Sequence, residues 1–173
     1  MSAPVQDGHW GRFAVLNIVL CAGVAWAGQS SAAPAAFAQA LAADVSGRES
    51  LAAFYKTTGY EDLWTGPDDG ARRLSLFSAI DQADIHGLPV ARYDAAALRA
   101  AFAAVQTEGD RGRLEAAMSL AYLQYASDLS SGALEPHDID ASMKREPQRP
   151  DDTYLLAVAK GAEFDQFLHD IPP

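Results

Sequence analysis

The stretch from Arg111 to Ser131, RGRLEAAMSLAYLQYASDLSS, limits what this chain can become more than any other. Leu114, Ala117, Met118, Ala121, Tyr122, Tyr125 and Leu129 repeat at the i, i+3, i+4, i+7 spacing of one helical face. Asp110 is read as its N-cap, and Gly132 suits the left-handed residue that follows a helix. Some twenty residues at about 1.5 Å each make a rod of roughly 30 Å, enough to cross a small domain. A fold built on it has to wrap other elements around this rod.

The flanking text supplies helices. Ser46-Gly47-Arg48-Glu49 has capping-box spacing and opens a helix through Tyr55, with Leu51, Phe54 and Tyr55 buried. Gly59 ends it, and Gly66-Pro67 marks a turn. Asp68 or Asp69 caps a helix running to His86, with Leu74, Phe77, Ile80 or Asp81, and Asp84 or Ile85 near the helical repeat. His86-Gly87 closes that helix, and Asp94 starts another through Val105 with Leu98, Ala101, Phe102 and Val105 on one face. Gly109 breaks it. Residues 133–152 hold Pro136, Pro147 and Pro150, which exclude a continuous helix. Asp151 or Asp152 then caps a helix with Tyr154, Leu155, Val158 and Ala159, Gly161 interrupts it, and Ala162 to Asp170 forms the last. No segment sustains period-two alternation. The expected fold is all-α: one compact domain of six or seven helices around the long one, preceded by a signal peptide.

Phe13 to Trp26 is apolar apart from Asn17 and follows Arg12, the pattern of an export leader rather than a membrane span. Ala25-Trp26-Ala27 is a small-x-small cleavage site, with Ser31-Ala32-Ala33 as a second. The expected division is a signal peptide at 1–27, a linker at 28–45 with a nascent helix from Pro34 to Ala43, and the helical domain at 46–173. Bulky Leu20 before Cys21 argues against lipidation. The expected location is the periplasm, with membrane contact only through an uncleaved leader. Cleavage removes Cys21, the one cysteine, and with it any thiolate chemistry. Lys plus Arg 13 against Asp plus Glu 23 gives a net charge of −10, which makes nucleic acid a poor partner.

Chemistry-bearing patterns are few. There is no Gly-x-Ser-x-Gly turn to present a serine. His137-Asp138-Ile139-Asp140 is the one local metal-like cluster and lacks a paired histidine at helical spacing. His86 is read as a cation-capable residue at a helix C-terminus. Glu115, Asp81, Asp84 and Asp128 lie on predicted helices beside apolar faces, where a muramidase would keep its general acid. Glu115 reads equally as a solvated first-turn residue. Tyr55, Tyr60 and Trp64 are read as core, with a sugar platform as the alternative. No catalytic, cofactor-binding or metal-ligating residue is assigned, and no cofactor is expected.

Three passages in order, FYKTTGYEDLWTG, LFSAIDQADIHGLPVARYD and YLQYASDLSSGALEP, resemble the helical scaffold region of murein L,D-transpeptidases. The pattern falls on Phe54, Tyr55, Trp64, His86, Gly87, Leu88, Tyr93 and Asp94, then on Tyr125, Asp128, Leu129, Gly132 and Pro136. The resemblance implies a role in peptidoglycan cross-linking and cell-wall biogenesis. It also implies that the catalytic cysteine domain is not in this chain, so no catalytic residue carries over. The expected partner is that domain, downstream or on a separate transpeptidase chain, with peptidoglycan as a further one. An independent peptidoglycan- or protein-binding domain and a helical muramidase stand as alternatives. An exposed apolar patch is expected near the C-terminal helices, where the absent domain would cover it. Intact-mass analysis of the exported chain is expected to place its N-terminus at Gly28, and a product retaining Met1 would overturn the leader reading.

Overall fold

The computed structural model describes residues 35–133 and 148–169. The leader, residues 28–34, the cluster at 137–140, and Pro136, Pro147, Pro172 and Pro173 lie outside the described residues. Seven α-helices and no strand occur among those described: α1 (Ala35–Val45), α2 (Glu49–Thr57), α3 (Gly70–Asp81), α4 (Ala95–Ala104), α5 (Glu108–Ser131), α6 (Asp152–Lys160) and α7 (Phe164–His169). Two 3-10 turns, Ala83–His86 and Val90–Tyr93, join α3 to α4. No described helix is long and apolar enough to cross a membrane.

The long helix is α5, and its start differs from expectation. Thr107, not Asp110, is the N-cap: its hydroxyl oxygen accepts from the Asp110 amide at 3.1 Å, while the Asp110 carboxylate accepts from the Thr107 amide at 3.0 Å. Asp110 is thus the third helical residue of a reciprocal capping box. Its exposed carboxyl is held down to about 2, chiefly by the Thr107 hydroxyl and then by Arg113. Gly109, expected as a breaker, lies in the first turn of α5, because the chain breaks earlier at Val105 with its extended backbone.

Residues 35–45, expected as linker with a nascent helix from Pro34 to Ala43, are the packed helix α1. Phe37, Leu41 and Val45 recur at four-residue spacing and are all buried, and α1 makes the most extensive helix packing in the fold, against α5. Gly112 permits it. A Cβ there would overlap the Phe37 carbonyl oxygen and stand 3.1 Å from the Leu41 nitrogen. One turn of α5 also turns Arg111 onto the Phe37 ring, with the guanidinium carbon 4.1 Å from the ring centre.

The capping box at Ser46–Glu49 does not form. Ser46 donates to the Ala43 carbonyl at 2.7 Å instead, and Arg48 takes the N-cap position of α2. The Arg48 guanidinium grips Asp152 of α6 at 2.7 and 2.8 Å, and Ser50 adds a 2.6 Å bond. Burial pushes the Asp152 carboxyl up, but these donors outweigh it and hold it below its usual value. Gly59 ends α2 as expected, at φ 67°, with Tyr60 N–H reaching back to the Tyr55 carbonyl at 2.8 Å.

On α3 Phe77 and Ile80 are buried as expected, but Leu74 is not. Leu76, Phe77, Ala79 and Ile80 face inward, leaving Leu74 at 72% exposure. Ile85, equally exposed, sits on the first 3-10 turn, where the change from 3.6 to 3 residues per turn carries it off the buried face. Asp94 caps α4 as expected, accepting from the Ala97 amide at 3.3 Å. Of its expected face, Leu98 is buried, Phe102 and Val105 are half-buried, and Ala101 is exposed. Leu155, Leu156 and Ala159 form the inner face of α6, while Tyr154 points out. The expected apolar patch is absent among the described residues of α6 and α7, since Tyr154 is the one large apolar side chain they expose.

Gly112→Ala gains helix propensity in α5 but must displace the backbone of α1. Urea unfolding is expected to show a loss of about 2 kcal/mol; an unchanged or higher midpoint would contradict the close packing.

Candidate functional site

Two fully buried carboxylates, Glu115 and Asp128, stand on α5. Thirteen residues apart, they are separated by about 20 Å along the helix axis. Each gathers a different irregular segment.

Glu115 holds the 61–66 loop. One carboxylate oxygen accepts from the Tyr55 hydroxyl and the Leu63 amide, both at 2.7 Å. The other accepts from the Thr65 amide at 3.0 Å and its hydroxyl at 2.8 Å, and the Trp64 amide straddles both at 3.2 Å. Tyr55 also meets Ser119 Oγ at 2.6 Å, and Trp64 Nε1 donates to the same oxygen at 2.9 Å. Because Tyr55 spends its one proton on Glu115, Ser119 must donate to Tyr55. The chain of donors therefore runs Trp64, Ser119, Tyr55, Glu115. Burial pushes the Glu115 carboxyl up from the carboxylate range, and the Tyr55, Thr65, Leu63 and Trp64 donors pull it part of the way back. Burial, then the neighbouring carboxylate, keeps the Tyr55 phenol protonated. The Trp64 indole so positioned packs on Tyr122 and Phe164, with ring centres 5.4 and 5.8 Å away. Tyr55 and Trp64 are therefore core, and Tyr60 is half-buried.

Asp128 holds the second 3-10 turn. It accepts from Arg92 Nε at 2.7 Å, from the Tyr93 hydroxyl at 3.2 Å and from Gln124 Nε2 at 3.0 Å, with Arg149 3.8 Å away. Tyr93 also packs edge-on against Tyr125, whose buried hydroxyl has no hydrogen-bond partner among the described residues.

Beside Asp128 opens a groove of about 800 Å3. Asp84, His86, Gly87, Leu88, Pro89 and Arg92 form one wall, and Ser131, Gly132 and Ala133 at the end of α5 form the other. Gly87 at φ 71° and Gly132 at φ 84° adopt backbone that other residues avoid, and a Cβ on either would meet nothing within 4 Å. The two walls thus come from the second and third passages singled out in the sequence.

Glu115 and Asp128 do not form the carboxyl pair of a glycoside hydrolase. Glycoside hydrolysis needs two carboxyls roughly 5–9.5 Å apart across a substrate. Glu115 and Asp128 are separated by far more and enclosed, while Asp81 is exposed and paired with Arg99 at 2.6 Å, and Asp84 is exposed on the groove. No group of metal-ligating side chains occurs among the described residues.

A family model described as a Scaffold domain matches residues 49–173. The chain belongs to the Scaffold domain family. That agrees with the resemblance to the helical scaffold of L,D-transpeptidases. The Scaffold domain match starts at Glu49, so α1 lies outside it although it packs on α5 within. No curated protein and no solved structure matches the chain. Within the Scaffold domain, Tyr55, Trp64, Tyr93 and Asp128 are buried members of the two networks.

Sequence reasoning did not separate Glu115 from the other acidic residues as an anchor. The signal available was a loop rich in backbone donors, GYEDLWTGP, opposite a lone acid among the small and apolar residues of α5.

For Glu115→Gln, removal of a buried charge and loss of acceptors pull in opposite directions. The geometry decides: either amide orientation points an NH2 at the Leu63 or the Thr65 N–H. Urea unfolding followed by Trp64 fluorescence is expected to show a loss of about 2–4 kcal/mol. A variant as stable as the wild type would mean the loop does not depend on this carboxylate.

Proposed function

We propose that this chain is the non-catalytic scaffold of an L,D-transpeptidase-like protein of peptidoglycan cross-linking and cell-wall biogenesis. It acts in the periplasm and positions a catalytic module, with peptidoglycan as the other partner. The observation carrying this reading is the Scaffold domain match over 49–173, in which the family-like aromatic and acidic positions serve as internal anchors. Catalytic geometry requires support from elements that do not yield, and a helix pinned to two loops by buried carboxylates is such a support. An independent periplasmic binding domain is the second reading. It is favoured by the polar outer faces of α6 and α7 among the described residues, which lack the apolar patch an intimate partner would cover.

Purified chain is to be incubated with murein sacculi, alone and with a separately prepared L,D-transpeptidase catalytic domain. No released muropeptides, together with retention of the catalytic domain by the immobilised chain, is the expected outcome. Released muropeptides would overturn both readings, and pelleting with sacculi without retention would favour the second.

A further inference from the structure

The Glu115 network holds more than an anchor needs. Tyr55 Oη stands 2.7 Å from Glu115 Oε1 and 2.6 Å from Ser119 Oγ, and Ser119 Oγ also accepts from Trp64 Nε1 at 2.9 Å. A hydroxyl between two such short contacts can donate through either and accept through the other. With Glu115 charged, Ser119 donates to Tyr55 and Tyr55 to Glu115. With a proton on Oε1, both contacts can run the other way: Glu115 donates to Tyr55, and Tyr55 to Ser119, which goes on accepting from Trp64. All three contacts survive. The Leu63 amide, 2.7 Å from Oε1, also keeps its acceptor, because a carboxylic O–H retains lone pairs. An amide NH2 in that place does not, which separates a protonated Glu115 from Glu115→Gln.

The second oxygen offers no such route. Oε2 accepts from the Thr65 amide and hydroxyl, and the other polar neighbour of that hydroxyl is a donor, Arg111 Nη1 at 3.4 Å. Thr65 therefore has no acceptor among the described residues to which it can turn its proton. The charged groups around the loop are matched elsewhere: Asp62 and Glu108 with Arg111, Asp69 with Arg72, and Glu61 with Lys160. Arg73 is held by the Trp64 and Gly66 carbonyls. Burial, the largest influence on the Glu115 carboxyl, pushes it up, so the folded chain takes up this proton at a higher pH than an exposed glutamate would.

We propose that Glu115, Tyr55 and Ser119 form an internal proton-binding relay, in which a proton taken up on Glu115 Oε1 reverses the Tyr55 and Ser119 hydroxyls and leaves the 61–66 loop in place. Tyr55 and Ser119 keep their own protons and rotate them, so one proton enters from solvent and none leaves. The anchor thus works in both charge states. The proposal concerns this internal site alone and does not rest on the scaffold reading.

The test is an NMR titration of the purified chain from about pH 8 to about pH 3, following Glu115 Cδ, Trp64 Nε1–H and the loop amides. Glu115 is expected to titrate above the ordinary glutamate value, Trp64 Nε1–H to move with the same midpoint, and the Leu63 and Thr65 amides to stay protected at that midpoint. Ser119→Ala leaves Tyr55 without an acceptor in the protonated state only, so Glu115 should bind its proton about tenfold more weakly. Were Ser119 merely a donor to Tyr55, its loss would leave proton binding unchanged or tighter. That sign would overturn the relay. So would Glu115 titrating at or below the ordinary value, a Trp64 signal that ignores its midpoint, or loop amides that lose protection there. These wild-type readings decide the matter even where Ser119→Ala fails to fold.

Discussion

A carboxylate removed from water is stable only where donors surround it, and Glu115 is surrounded on both oxygens. The loop at 61–66 has no ladder or helix of its own to satisfy its amides. The two deficits cancel: the loop gives N–H groups to the acid, and the acid gives the loop a fixed path. Burial still leaves its mark, since the carboxyl is shifted up even among so many donors. What this arrangement fixes is Trp64, whose indole closes the core between Tyr122 and Phe164. The Tyr122 hydroxyl then donates to the Leu155 carbonyl at 2.6 Å, carrying the link on to α6.

The same device recurs at the other end of α5, where Asp128 holds Arg92 and Tyr93. Between them the two acids define the paths of the chain's irregular segments on either side of α3. Packing of α1 against Gly112 adds a third attachment near the start of the helix. Such a body suits mechanical support, since its loops are held by buried bonds rather than left to their own entropy. Of the acidic residues that looked like candidates for catalysis, Glu115 and Asp128 are spent on these internal bonds, and Asp81 is paired with Arg99.

Local signals in the sequence were legible where one residue type has one backbone use. The apolar repeat gave α5, Asp94 gave the cap of α4, and Gly59 and Gly87 gave left-handed turns. What failed depended on contacts distant in sequence. Ser46 and Glu49 had the right spacing for a capping box, but Arg48 is drawn to Asp152, 104 residues away. On α3 the expected Phe77 and Ile80 are buried, but which leucine joins them depended on the neighbours, so Leu74 went to solvent and Leu76 to the core. Residues 35–45 read as linker with at most a nascent helix, since Ala, Ser and Gln dominate the stretch from Gly28 to Ala43, and three apolar residues proved enough once Gly112 let the backbones meet. Glu115 was invisible for the same reason: an acid in an early turn looks solvated until the loop that covers it is placed.

Amide hydrogen exchange tests the central claim most directly. If Glu115 holds the loop as a structural element, the amides of Leu63, Trp64 and Thr65 should be protected to the level of mid-α5 amides, although they lie in no helix. Exchange at the rate of an open loop, with α5 still protected, would contradict the account.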